Sequence, residues 1–192
     1  MNIVLSGVGG QGIVLASKLI AKAAMNAGKR VRTAETIGMA QRGGCVVSHV
    51  RIGDSYSPIV PLGEADTLIG FEPFEAARAL AYLKEGGTVV VSSRAIMPVT
   101  ASLGMQTLDA EKALEFLRHN ARVVVVDAQK AQELYGAKTL NMALLGAAAR
   151  DNALPVGIQE IECAIRESVK PQFVKMNIKA LHHKFIETKN YK

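Results

Sequence analysis

The feature that most limits what this chain can fold into is Gly7-Val8-Gly9-Gly10-Gln11-Gly12, four glycines in six residues. It follows a short apolar run, Asn2 to Ser6. It precedes a stretch in which Ile13, Ala16, Ile20, Ala23 and Ala27 recur at helical spacing, with Lys18, Lys22 and Asn26 on the opposite stripe and Gly28 as a suitable C-cap. Lys29 to Glu35 then reads as a second strand. The unit is β-turn-α-β, whose strands should be parallel and whose crossover should be right-handed. Gly7, Gly9 and Gly12 keep the G-x-G-x-x-G spacing, which lets backbone N–H groups approach an anion at the positive end of a helix. The same glycines would also permit close packing of strand on helix, and both readings stand. With Gly10 and Gln11 between them, the glycines exceed the minimum that packing needs.

The pattern changes after Glu35. Thr36 to Gly44 is too short and glycine-rich to hold another crossover helix. Cys45 to Ile52 reads as a strand, Gly53-Asp54 as a hairpin turn and Tyr56 to Val60 as an antiparallel return. Thr67 to Gly70 is a buried strand, followed by a helix from about Pro73 to Leu83 with Pro at its first position. Gly86-Gly87 leads into a valine strand, Thr88 to Ser92. Asp109 caps a helix running to Arg118, and Arg122 to Asp127 is the last strong strand. From Gln129 onward only helices are expected: Thr139 to Asp151, apolar on nearly every side; Ile158 to Val169, amphipathic; and a last one from Pro171, with a stripe of Val174, Ile178, Leu181 and Phe185. The fold expected is α/β, Rossmann-like and three-layered, with a mixed, mostly parallel sheet and a helical C-terminal part. It forms a single domain over 1–192, with the helical extension at about 129–192.

Composition excludes several functions. Only 5% of residues are aromatic and there is no Trp, so Val, Ile, Leu and Ala fill the core and base-stacking surfaces are not expected. The two cysteines, Cys45 and Cys163, are far apart, which supports neither a disulfide framework nor a zinc or iron–sulfur site held by this chain alone. No signal peptide and no membrane span is read in the sequence, so a cytoplasmic protein is expected, with neither nucleic acid nor membrane as partner. The net charge of +6 comes partly from Lys170, Lys175, Lys179, Lys184, Lys189 and Lys192. These are spread as on a solvated helix face, or as on a positive surface for phosphates or an acidic partner protein.

Three further features are candidates for chemistry. Glu35 lies 23 residues after Gly12, where a dinucleotide domain carries its ribose-binding acid; an exposed carboxylate at a strand end is the plain alternative. A hairpin in place of the second crossover weighs against NAD. The loop Gln41-Arg42-Gly43-Gly44 could present a guanidinium to a partner or an anion. In the strand after it, period-two alternation puts Val47, His49 and Arg51 on one face, and Val46, Ser48, Val50 and Ile52 on the other. His49 and Arg51 could equally face solvent. Asn141 could be a helix-end hydrogen bonder or a ligand contact. No Ser/His/Asp set, paired carboxylates or H-E-x-x-H occurs, so no catalytic residue is assigned and catalysis by the chain alone is poorly supported.

Taken in order, Gly7-x-Gly9-Gly10-Gln11-Gly12, Glu35, Gly38-Met39-Ala40-Gln41-Arg42-Gly43-Gly44, His49-Val50-Arg51-Ile52-Gly53, Thr139-Leu140-Asn141-Met142 and Leu145-Gly146 resemble the gamma subunit of 2-oxoacid:ferredoxin oxidoreductases. Within that family the chain looks most like the beta subunit of indolepyruvate ferredoxin oxidoreductase. The resemblance implies a complex using thiamine diphosphate, Mg2+, iron–sulfur clusters and coenzyme A. It would oxidatively decarboxylate a 2-oxoacid to acyl-CoA and carbon dioxide while reducing ferredoxin. No thiamine signature or cluster cysteines are present, so those groups would lie on thiamine-binding and iron–sulfur partner subunits. Gln41, Arg42, Gly43 and Gly44, with His49, Arg51 and Asn141, would then lie at the interface near the active site. Gly7, Gly9, Gly10, Gln11, Gly12 and Glu35 would face a ligand or anion, such as a coenzyme A phosphate. Two other readings remain: an independent nucleotide-binding oxidoreductase or transferase, and an assembly subunit that binds no ligand.

Overall fold

A computed structural model describes residues 1–37, 44–96 and 109–185. Its strands are β1 (Asn2–Val8), β2 (Val31–Ile37), β3 (Cys45–Ile52), β4 (Ala65–Gly70), β5 (Leu83–Ser92) and β6 (Arg122–Val126). They form one sheet in the order β2-β3-β1-β4-β5-β6. Strands β1, β4, β5 and β6 run parallel, whereas β3 is antiparallel to both β1 and β2. The described helices are α1 (Ile13–Asn26), α2 (Pro73–Ala79), α3 (Ala110–Asn120), α4 (Ala128–Tyr135), α5 (Leu140–Arg150), α6 (Ile158–Ser168) and α7 (Pro171–His182). This is the three-layered, mixed and mostly parallel α/β fold expected from the sequence.

The central strands are apolar in unbroken runs because both their faces are covered. On one face, Ile3, Leu5, Ile69, Val90 and Val124 pack with α1, α5, α6 and α7 in a single core. On the other, Val4, Leu68, Val89, Val91 and Val125 pack with α2 and α3. The C-terminal helices therefore share the core of α1. Helix α5 buries eight consecutive residues, Asn141 to Ala148, which is why its sequence is apolar almost all round. Gly146 lets α7 approach that closely: a Cβ there would stand 2.1 Å from the Leu181 carbonyl oxygen.

The structure departs from the sequence reading around β3. Strands β1 and β2 are parallel, as expected, but β3 lies between them. The hairpin is formed by β2 and β3, and β2 runs on to Ile37, so Glu35 is inside the strand. The expected return strand from Tyr56 to Val60 is absent; no strand is present between Ile52 and Ala65. The reason is that β3 already pairs on both sides and offers no free edge. Side chains of β2 and β3 bind the loop instead. Arg51 donates to the carbonyls of Ser57 and Ile59, both at 3.2 Å, Arg32 donates to that of Ser55 at 2.6 Å, and His49 Nδ1 accepts the Val60 N–H at 3.4 Å. Smaller corrections concern lengths. Helix α2 gives way at Leu80 to a 3-10 turn, Leu80–Tyr82, and β5 begins at Leu83, so Gly86 and Gly87 lie within it.

Because the close approach at Gly146 is to backbone, Gly146→Ala should lower stability by about 2–3 kcal/mol, the upper range for overpacking a core. Urea unfolding should show a lower midpoint with an unchanged slope; an unchanged midpoint would refute the backbone contact.

Candidate functional site

Strand β1 ends at Val8, and the chain turns through Gly9 to Gly12 into α1. Gln11 holds this turn. Its Oε1 accepts the Val8 N–H at 2.7 Å, and its Nε2 donates to the Phe71 carbonyl at 3.0 Å, tying the end of β1 to the end of β4. Gly9 N–H donates to the carbonyl of Gly44 at 2.9 Å, so the turn touches the close of the Gln41-Arg42-Gly43-Gly44 loop. Gln41, Arg42 and Gly43 themselves lie outside the described residues.

Two glycines have packing reasons. A Cβ on Gly7 would stand 2.7 Å from that of Phe71. One on Gly12, whose φ is +84°, would stand 2.8 Å from Asn141 Nδ2. Asn141 is buried in the first turn of α5, where its Oδ1 accepts the Met142 N–H at 2.9 Å. Asn141 thus bonds a helix end, the first of its two sequence readings, and it also packs against the glycine turn. Gly10 is different. Its φ is +97°, and a Cβ there would meet nothing within 4 Å, because it faces an open cleft.

That cleft, of about 330 Å³, is lined by Gly10, Gln11, Arg94 and Ile96, and by Ala128, Gln132, Gly136 and Leu140. It lies beyond the C-terminal ends of β1, β5 and β6, the edge where open α/β sheets bind ligands. Its electrostatics favour an anion. Helix α1 has no side-chain N-cap and no acidic residue in its first turn, so its first N–H groups and dipole meet no negative side chain there. Helix α4, by contrast, is capped by Asp127, which accepts the Lys130 N–H at 2.9 Å. Arg94 is exposed in the cleft and donates to Gln132 Oε1. Sequence reasoning missed Arg94 and Gln132. The usable signal was position: Arg94 stands two residues past the valine strand, at the ligand-binding edge.

Other named residues lie elsewhere. Glu35 pairs across from Ser48, which pairs across from Leu5; two strand spacings, about 10 Å, therefore separate Glu35 from β1. It is not brought to the glycine turn as a ribose-binding acid would be. His49 and Arg51 sit level with Val4 and Asn2, towards the opposite end of β1. His49 does not face solvent: it is 2% exposed and meets Tyr82 edge-on at 5.4 Å. Arg51 is half-buried and also donates to Asn2 Oδ1 at 3.0 Å.

A second cluster not read from the sequence lies at the start of α2. Glu72 caps this helix by accepting the Glu75 N–H at 2.9 Å, and burial holds its carboxyl above the usual range, more than this hydrogen bond lowers it. Glu75 pairs with Arg78 at 2.5 Å. The Cys45 thiol is pushed up to about 11, first by burial and then by Glu75 beside it, which makes it a poor nucleophile. Among the described residues no three His, Cys, Asp or Glu side chains gather as a metal site, and no helix is long and apolar enough to cross a membrane. Two cysteines are too few for an iron–sulfur cluster, which takes four thiolates.

Comparison with known proteins assigns the family. The family described as pyruvate ferredoxin/flavodoxin oxidoreductase matches residues 2–184. Indolepyruvate oxidoreductase subunit IorB of Pyrococcus horikoshii is 42% identical over 184 residues, covering 93% of this chain and 91% of that one. The common gamma subunit of the pyruvate/ketoisovalerate oxidoreductases of Thermococcus litoralis is 32% identical over 190 residues, covering 96% and 95%. The crystal structure of pyruvate oxidoreductase subunit PORC from Thermotoga maritima shares the fold, with a TM-score of 0.69 over 95% of this chain and 93% of that one, at 24% identity. The chain belongs to the pyruvate ferredoxin/flavodoxin oxidoreductase family. The relatives matched over nearly their full length are subunits, which is the organisation expected from the motifs.

Buried His49 makes stability depend on pH. Burial lowers its pKa below the ordinary 6.5, so between the two values the unfolded chain binds the proton and the folded one does not. This contribution is complete above about pH 6.5 and is lost as pH falls from there towards the folded value. His49→Gln should flatten the stability–pH curve between pH 6.5 and 5; an unaltered slope in urea titrations at several pH values would contradict it.

Proposed function

We propose that this chain is the gamma-type subunit of a thiamine diphosphate-dependent 2-oxoacid:ferredoxin oxidoreductase, with indolepyruvate or another aryl pyruvate as substrate. In that reaction a 2-oxoacid, coenzyme A and two oxidised ferredoxins give acyl-CoA, carbon dioxide, a proton and two reduced ferredoxins. Thiamine diphosphate, Mg2+ and the iron–sulfur clusters are supplied by partner subunits in the cytoplasm. The 42% identity to an indolepyruvate oxidoreductase subunit over 93% of the chain supports the substrate class.

The observation that carries the chain's own role is the cleft where the uncapped start of α1, the glycine turn and Arg94 converge. It suits a phosphate of coenzyme A: backbone N–H groups approach the anion, Arg94 supplies a positive charge, and Gln132 orients the guanidinium. Gly9 links this cleft to Gly44, and the Gln41-Arg42-Gly43-Gly44 motif is assigned to the subunit interface. The reading as an independent dinucleotide enzyme loses its ribose acid, because β3 separates Glu35 from β1.

The test is co-expression with a thiamine-binding and an iron–sulfur subunit, followed by assay of 2-oxoacid-dependent dye reduction. Indolepyruvate should be turned over with a higher kcat/KM than pyruvate or 2-oxoglutarate; equal use of all three would refute the aryl preference. Arg94→Ala should raise the KM for coenzyme A by about tenfold or more, as expected for a lost charged hydrogen bond, while the KM for the 2-oxoacid stays put. An unchanged coenzyme A KM would place that ligand elsewhere. Arg42→Ala should impair assembly or turnover while the isolated chain still folds; full activity in the reconstituted complex would exclude its interface role.

A further inference from the structure

On the surface formed by α6 and α7 lies a second groove, of about 410 Å³, lined by Arg166, Pro171, Val174, Lys175, Ile178 and Lys179. It shares no residue with the anion cleft. Helix α7 has two different faces. Asn177, Ala180 and Leu181 are buried towards the body of the protein. Pro171, Val174, Lys175, Ile178 and Lys179 follow one another at spacings of three, one, three and one, and so form the groove side. Val174 and Ile178 are only partly buried, at the margin of the core. They make an apolar strip with Lys175 and Lys179 along one side and Arg166 of α6 across from it.

Among the described residues the charge on this surface has no local answer. Residues 168–185 contain Lys170, Lys175, Lys179 and Lys184 and not one Asp or Glu. The nearest carboxylates on α6 are already engaged. Glu162 pairs with Arg166 at 2.5 Å and with His182 at 2.7 Å, and these hydrogen bonds hold its carboxyl below the usual range. Glu167 pairs with Lys22 at 3.0 Å and accepts from Asn26. Lys175 and Lys179 make no ion pair among the described residues. Val174 and Ile178 pack against the core on one side and leave apolar surface beside the lysines on the other, and a phosphate site would not be floored by such residues.

We propose that this groove is the docking site for an acidic, amphipathic segment of another subunit of the same assembly. Apolar residues of that segment would cover Val174 and Ile178, and its Asp or Glu side chains would meet Lys175 and Lys179. The apolar floor points to a standing subunit contact, since permanent interfaces are more hydrophobic than transient ones. The proposal rests on the reading of the chain as a subunit, but it concerns a surface that reading does not use.

A carbodiimide, which joins lysine amines directly to neighbouring carboxylates, should link Lys175 or Lys179 in the assembled complex to Asp or Glu of another subunit, as identified by mass spectrometry of the peptides. Lys175→Glu with Lys179→Glu should raise the Kd for that subunit at least tenfold at low salt. The effect should shrink as salt is added, while the thermal melt of the isolated chain is unchanged. Cross-links only to another copy of this chain, or none at these lysines, would overturn the proposal, as would a double variant that assembles and turns over like the wild type. Binding of anionic vesicles or duplex DNA that the double variant abolishes, with no such cross-links, would overturn it in favour of those ligands. Should the wild-type chain assemble with no partner at all, the subunit reading falls and this inference with it.

Discussion

Strand β3 hydrogen-bonds β1 on one side and β2 on the other, filling the position that direct pairing of β1 with β2 would otherwise take. The other features of this half of the molecule depend on that insertion. Both edges of β3 are used, so the chain after Ile52 cannot return as a strand and must be fastened by side chains. Arg51 and His49 do so by bonding backbone groups of the following loop. The same register sets Cys45 beside Val8, which brings the preceding Gly44 to Gly9. The glycine turn and Gly44, far apart in sequence, therefore meet at one corner of the sheet.

The insertion also separates two features that look alike in sequence and differ in space. In a dinucleotide domain the acid after the second strand reaches the ribose because that strand adjoins the first. Here Glu35 has the right spacing in the chain and the wrong neighbour in the sheet. What remains at the glycine turn is the part that depends on helix α1 alone: uncapped N–H groups at a positive helix end, facing a cleft that contains Arg94. Such a site suits a phosphate or carboxylate whatever it is attached to.

Much of the fold could be read from the residues. Valine runs in β5 and β6, the N-cap Asp109 and the start of α2 at Pro73 are local signals, and the structure keeps the elements they mark. Asp127 was read only as the end of a strand, yet it caps α4. Less legible was pairing, because alternation in Cys45–Ile52 says that a strand forms and not which strands flank it. His49 shows the cost of that gap: period two put it on a face with Arg51, but the pinned loop and Tyr82 make the position buried. The site was legible in the same measure. The glycines and Asn141 carried their own spacing, and they do come together. Arg94 had no motif around it, since its place in the cleft arises from strands β1 and β5 ending at the same edge.

The contact of Gly146 with the backbone of Leu181 has a bearing on how the molecule is made. The face of the sheet carrying Ile3, Leu5 and Ile69 is covered in part by helices from the last third of the chain. During synthesis the first strands emerge long before α5 and α7 exist, so the part of their apolar surface that α1 leaves bare stays open until those helices have been made. Through that interval the nascent subunit is exposed to aggregation and to chaperones. Loss of the last helix would leave not a shortened subunit but an unsealed one.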